Sequence, residues 1–114
     1  MRLRSVAVAV VSACALAVGV PATASATEGE FTYWYNDEDG ELRQGALVDP
    51  PSGYCLEIPE IADFSDAHAF RPHNRTRSSA RMFREADCEG GAFYTLRSGG
   101  RAGDRLLLRS VVFG

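Results

Sequence analysis

Asn74-Arg75-Thr76-Arg77-Ser78-Ser79-Ala80-Arg81-Met82-Phe83, continuing as Arg84-Glu85-Ala86-Asp87-Cys88-Glu89-Gly90-Gly91, is the stretch on which the reading of this chain turns. Phe83 and Gly90 are separated by six residues, and the same spacing occurs between Tyr33 and Gly40. Both intervals are polar and acidic: Trp34-Tyr35-Asn36-Asp37-Glu38-Asp39 in the first, Arg84 to Glu89 in the second. This composition predicts a strand entering a folded-over hairpin. The aromatic packs across the turn, and the glycine takes a backbone conformation that a side chain would oppose.

Asn74-x-x-x-Ser78-Ser79 then leads straight into the strand Ala80–Phe83. With the two aromatic-x6-glycine spacings (Tyr33 and Gly40, Phe83 and Gly90), this pattern resembles the Greek-key motif of βγ-crystallin-like proteins. Asp104 to Phe113 looks like a degenerate second copy, offset from Asn74 and Phe83 by the same interval, as an internal repeat requires. The resemblance implies a compact all-β Greek-key β-sandwich. The much longer interval from Gly40 to Asn74 than from Gly90 to Asp104 implies an insertion in the first unit, made of the proline loop and an acidic segment.

Outward from this region, the chain begins with Arg2 and Arg4, an apolar run from Val6 to Val20, Pro21, and then Ala24-Ser25-Ala26. These are the parts of a secretory signal peptide over residues 1–26, cut after the small residues Ala24 and Ala26. The run is short of the roughly 20 apolar residues of a membrane span. Val11-Ser12-Ala13-Cys14 also fits a lipoprotein box, although the chain stays apolar after Cys14. Residues 27–114 form one small domain, expected to be secreted and extracellular.

The whole chain carries a net charge of −3, and loss of the leader removes two arginines and makes it more acidic. Nucleic acid and anionic membrane are therefore poor targets. All basic residues are arginines, as a GC-rich, actinobacterial genome would give. Acids dominate from Thr27 to Asp66 and arginines from Ala67 onward. The two halves could face each other through rim ion pairs, each worth about 0–1 kcal/mol when exposed. Alternatively, Arg71 to Arg84 could form a basic face for an acidic partner.

Once the leader is gone, only Cys55 and Cys88 remain, so an exported chain allows a single disulfide. A zinc site built from these cysteines with His68 and His73 is the competing reading, but its spacings match no common module.

Strands are expected at Phe31–Tyr35, with three aromatics on one face, and at Glu41–Val48, Tyr54–Ile58, Ala80–Phe83, Phe93–Leu96 and Leu106–Phe113. Asp49-Pro50-Pro51-Ser52-Gly53 must be a loop, because neither proline can donate to a ladder. Pro59 to Ala67 is expected as loop with a helical turn, and Ala69 to Arg77 as polar connection.

An enzyme is not expected. There is no G-x-S-x-G elbow, no H-E-x-x-H and no free thiol after export. The βγ-crystallin resemblance implies calcium, which such proteins hold with oxygens of the N/D-N/D-x-x-S/T-S element. Here the candidates are Asn74, Ser78, Ser79 and Asp104, with Arg75, Leu108 and Arg109 at positions where ligands belong. Small secreted actinobacterial proteins of this type also include crystallin-like peptidase inhibitors, some directed at metalloproteases. Such a role needs a pre-organised exposed loop, and Pro50, Pro51, Ser52, Gly53 and Tyr54 have that chemistry: two prolines, an anchoring Cys55 and an amphipathic tyrosine. The expected partner is thus a protein, with an extracellular protease as one candidate. A calcium-binding or purely structural extracellular module is the alternative. The cluster Phe31, Tyr33, Trp34 and Tyr35 is read as core or as a carbohydrate- or protein-binding face.

Overall fold

The computed structural model of the chain describes residues 26–114. The expected leader up to residue 25, with Cys14 and Ala24, lies outside the described residues. Ala26 is exposed and bridges Pro51.

Seven strands form two antiparallel sheets. β1 (Gly29–Asn36) lies between β2 (Leu42–Val48) and β4 (Phe70–Thr76), while β3 (Leu56–Glu57), β7 (Ser110–Phe113), β5 (Ala80–Phe83) and β6 (Tyr94–Leu96) follow one another across the second sheet. The only helical elements among the described residues are 3-10 turns at Pro59–Ile61 and Ala86–Cys88. The core is sealed from both sides by Phe31 and Tyr33 of β1, Met82 of β5, Val111 and Phe113 of β7, and Ile58, Ile61 and Leu108 between the sheets. Phe31 meets Phe113 edge to face with ring centroids 5.4 Å apart, which joins the two sheets directly. Truncating a buried phenylalanine of this kind typically costs about 3–5 kcal/mol.

The expected alternation in β1 holds. Phe31 and Tyr33 are buried and Tyr35 packs beside them, while Thr32 and Trp34 face the other way. The first hairpin turns as its sequence predicts. Asp37 Oδ1 accepts the amides of Asp39 and Glu41 at 2.9 Å each, and Gly40 sits at φ +82°. Gly90 likewise has φ +81°. The aromatic, however, does not reach the first turn. The Tyr33 ring lies across Gly45 of β2, where a Cβ would stand 2.6 Å from the ring, whereas Gly40 has open space around it. Gly45, which breaks the pattern of the return strand, is therefore the residue that admits the tyrosine.

Three expectations need correction. Ala69 to Arg77 is not a polar connection: Phe70–Thr76 is the strand β4, paired along Gly29–Trp34 of β1. Its inward residues are Pro72, Asn74 and Thr76, so its alternation is not a hydrophobic one. The strand expected at Tyr54–Ile58 shrinks to Leu56–Glu57. The closing strand begins only at Ser110, because Leu106–Arg109 passes between the sheets with Leu108 bridged to Ala69. Arg109 is buried there, and its guanidinium donates to the carbonyls of Phe64 (2.7 Å) and Ala67 (2.6 Å), which hold the 62–67 segment in place.

Cys55 and Cys88 form the disulfide, with Cα atoms 6.0 Å apart. It joins the approach to β3 to the turn after β5. The charge asymmetry is not expressed as pairing between halves. Of the ion pairs among the described residues, Arg43 with Asp37 and Glu41 stays in the first half and Arg71 with Asp104 in the second. Only Arg77–Glu28 crosses, between two largely exposed side chains. Nor do Arg71 to Arg84 make one face, since Arg71 and Arg75 belong to β4 while Arg81 lies on β5 of the other sheet.

Candidate interaction surface

The loop between β2 and β3 is fixed at almost every residue. Asp49, at φ +46°, donates its amide to the Gly29 carbonyl (2.8 Å) and accepts the Gly29 amide on Oδ1 (2.9 Å). The Pro50 carbonyl accepts from the Thr27 amide, and the Gly53 amide donates to the Phe113 carbonyl, both at 2.8 Å. Ser52 Oγ lies 3.3 Å from Thr27 Oγ1. Beyond Tyr54, the disulfide at Cys55 fixes the exit.

Within this frame the candidate residues differ in role. Pro50 is buried and acts as a wedge, Pro51 is exposed, and Ser52 is half-buried. Gly53, at φ +80°, closes a turn, so the segment is rigid but not extended as a substrate-like strand would be. Tyr54 projects with 62% of its surface exposed, and Val48 at the opposite end of the loop is 64% exposed.

Ser78 is linked to this loop through Thr27, and Asn74 is bonded to Ser78. Asn74 is fully buried, and its Nδ2 donates to the carbonyls of Ser78 (2.7 Å) and Leu96 (2.9 Å). Its Oδ1, the atom that would face a cation, accepts from the Thr76 amide (3.1 Å) and hydroxyl (2.6 Å). Ser78 Oγ is 3.0 Å from Thr27 Oγ1. Ser79 is exposed, and its carbonyl accepts the Gly114 amide. Asp104 is not brought to this group: it pairs with Arg71 on the outer face of the first sheet. Among the described residues, no three His, Cys, Asp or Glu side chains gather as metal ligands.

Thr27 is the support of this loop that the sequence does not announce. Only 4% exposed, it ties Pro50 and Ser52 to Ser78, and so the loop to the Asn74 network. Its partners are 25 and 51 residues away, beyond the reach of any local pattern.

Among the concave regions that lie apart from the loop are two that hold titratable groups shifted from their ordinary values. The larger, an open cleft of about 630 Å³, is lined by Asn36, Asp37, Glu38, Asp63, Phe64 and Asp66. Asp37 there is held below the usual carboxylate range, first by its hydrogen bond from Arg43 and then by backbone amides. The other, beside Trp34 and Arg71, includes His73, whose pKa is lowered first by burial and then by the charges of Arg101 and Arg75.

Compared with known proteins, the chain matches no family model, no curated protein and no solved structure.

Proposed function

We propose that this protein is a secreted βγ-crystallin-type binding module that docks a protein partner through the loop Asp49–Tyr54, with extracellular peptidases as the partner class. The observation that carries this reading is the loop itself: immobilised from both sides and displaying Tyr54 at its exit. A side chain presented on a pre-ordered backbone loses little entropy on docking, and a tyrosine offers large contact area with few rotors. The turn at Gly53 favours covering a peptidase cleft over entering it as an extended substrate mimic.

The Greek-key assignment draws its support from strand order. In each sheet a hairpin (β1–β2, β5–β6) has the last strand of its own unit, β4 or β7, beside its first strand. The third strand of the first unit, β3, pairs with β7 in the other sheet. In the second unit, Arg101 makes the matching exchange through its bridge to His73 of β4. The disulfide agrees with an oxidising, extracellular setting.

Residual activity of secreted metallo- and serine peptidases, assayed with the purified protein, tests the proposal. At least one peptidase should be inhibited stoichiometrically. Tyr54→Ala should abolish the effect while shifting stability by no more than about 0.5 kcal/mol. Inhibition that survives Tyr54→Ala, or its absence across the panel, would count against the reading.

A further inference from the structure

We propose that the cleft on the outer face of the first sheet is a binding site for an acidic saccharide, a sugar ring bearing a carboxylate or a sulfate. The cleft measures about 360 Å³ and takes residues from three strands and one loop: Trp34 of β1, Gln44 of β2, Arg71 and His73 of β4, and Arg101 and Asp104 of the loop before β7. That volume lies at the small end of sites for compact ligands, about 300–1,000 Å³.

Its walls are built rather than incidental. The Asn74 amide donates to the Gly100 carbonyl (2.8 Å), the Gly99 amide to the Asn74 carbonyl (2.6 Å) and the Ala102 amide to the Pro72 carbonyl (3.0 Å), so the loop is laced to β4. The pairing of β1 with β4 shifts register between Thr32 and Trp34, and Arg71 opposite this irregularity has φ +50°. A bulge re-aims side chains, and a non-glycine residue in this region is costly unless its surroundings impose it. The result is that the Arg71 guanidinium stands 5.8 Å from the Trp34 ring centroid and 5.6 Å from that of Phe70. Asp104 holds it there through both carboxylate oxygens.

The charges choose the ligand. Among the described residues Asp104 is the only carboxylate lining the cleft, and Arg71 occupies it. Arg101 and, just beyond it, Arg75 have no carboxylate within ion-pair distance among the described residues. In an acidic chain these uncompensated guanidiniums favour an anionic group, which they bind with fork geometry. The half-buried indole supplies an apolar edge for a sugar ring, while Thr32 and Gln44 supply partners for its hydroxyls.

Trp34 is the single tryptophan of the chain, so its fluorescence reports on this site alone. The full purified protein is titrated with an oligogalacturonate, a sulfated heparin-derived hexasaccharide, a neutral cello-oligosaccharide and inorganic sulfate. One or both acidic oligosaccharides should give a saturable change in Trp34 emission that weakens with added salt. Arg101→Ala should weaken binding roughly tenfold, as expected for loss of one charge-assisted contact, whereas Arg105→Ala, outside the cleft, should not. Arg101 is exposed, so its variant is checked for an unchanged melt. The proposal is overturned if neither acidic oligosaccharide saturates the signal, if the neutral sugar or sulfate alone matches them, or if Arg101→Ala binds like the parent.

Discussion

Replacing Asn74 with alanine removes the centre of the network linked to the loop, and its cost can be worked from the contacts. Asn74 is fully buried and makes four hydrogen bonds, at 2.7, 2.9, 3.1 and 2.6 Å. The Ser78 carbonyl keeps an alternative donor, since the Thr76 hydroxyl lies 3.1 Å from it. The buried Thr76 amide loses its acceptor and carries a desolvation cost of about 1–3 kcal/mol. With the net loss at the remaining bonds, about 0.5–1.5 kcal/mol apiece at most, the expected destabilisation is about 2–4 kcal/mol. For a domain of this size that lowers Tm by roughly 10–25 °C. Urea unfolding followed by Trp34 emission measures it. A loss below about 1 kcal/mol would refute the accounting. Asn74→Asp sharpens the test because it keeps the shape but sets carboxylate oxygens against the Ser78 and Leu96 carbonyls. This carboxyl should have a raised folded pKa, so the variant is most stable in acid and weakens as pH rises through that pKa. Were Asn74 a calcium ligand instead, millimolar calcium would stabilise the parent and rescue Asn74→Asp; such rescue would overturn the purely structural role of this side chain.

Three further outcomes are expected. Cys55→Ser with Cys88→Ser opens a bridge of sequence separation 33 and should cost about 3–4 kcal/mol in the chain-entropy account, seen as a drop in the urea midpoint. Gly45→Ala puts a Cβ 2.6 Å from the Tyr33 ring and 2.7 Å from Glu60 Oε2, an overpacking worth about 1–3 kcal/mol, while Gly103→Ala, with open space around it, should melt like the parent. Burial, and then the hydrogen bond and charge of Glu60, raise the Tyr33 pKa far above its ordinary 10.0. The unfolded chain therefore ionises first, so this stability is present below pH 10 and lost above it. Tyr33→Phe should flatten the alkaline limb of a stability-pH profile.

Much of the fold was legible because several of its strands follow a hydrophobic code. Phe31, Tyr33 and Tyr35 alternate as a half-buried strand must, and the first hairpin announces its turn by acids ending in a positive-φ glycine. β4 was illegible for the converse reason. Its core-facing positions are Pro72, Asn74 and Thr76; the last two are polar and bonded to each other, and Asn74 reaches the Leu96 carbonyl of the second sheet, so no hydrophobic periodicity marks them. The opposite error arose at Leu106–Leu108. Three successive leucines look like strand, yet they serve a crossing between sheets whose partner is Ala69.

The loop at Pro50–Tyr54 was legible in its residues but not in its supports. Prolines and a cysteine mark a stiff segment locally, whereas the groups that fix it, Gly29, Thr27 and Phe113, come from the two ends of the domain. Those supports have a consequence for function. Thr27 joins Ser52 of the loop to Ser78, whose carbonyl accepts from Asn74, so the loop and the Asn74 network share one chain of hydrogen bonds. A residue that touches no partner should then govern docking. Thr27→Val keeps the amide that binds Pro50 and deletes only the hydroxyl, which frees Ser52 from Ser78. If pre-organisation is what makes Tyr54 an anchor, this variant should lose affinity chiefly through faster dissociation, with Tyr54 still in place. Unchanged dissociation in Thr27→Val would show that the loop's rigidity comes from its backbone bonds and the disulfide alone.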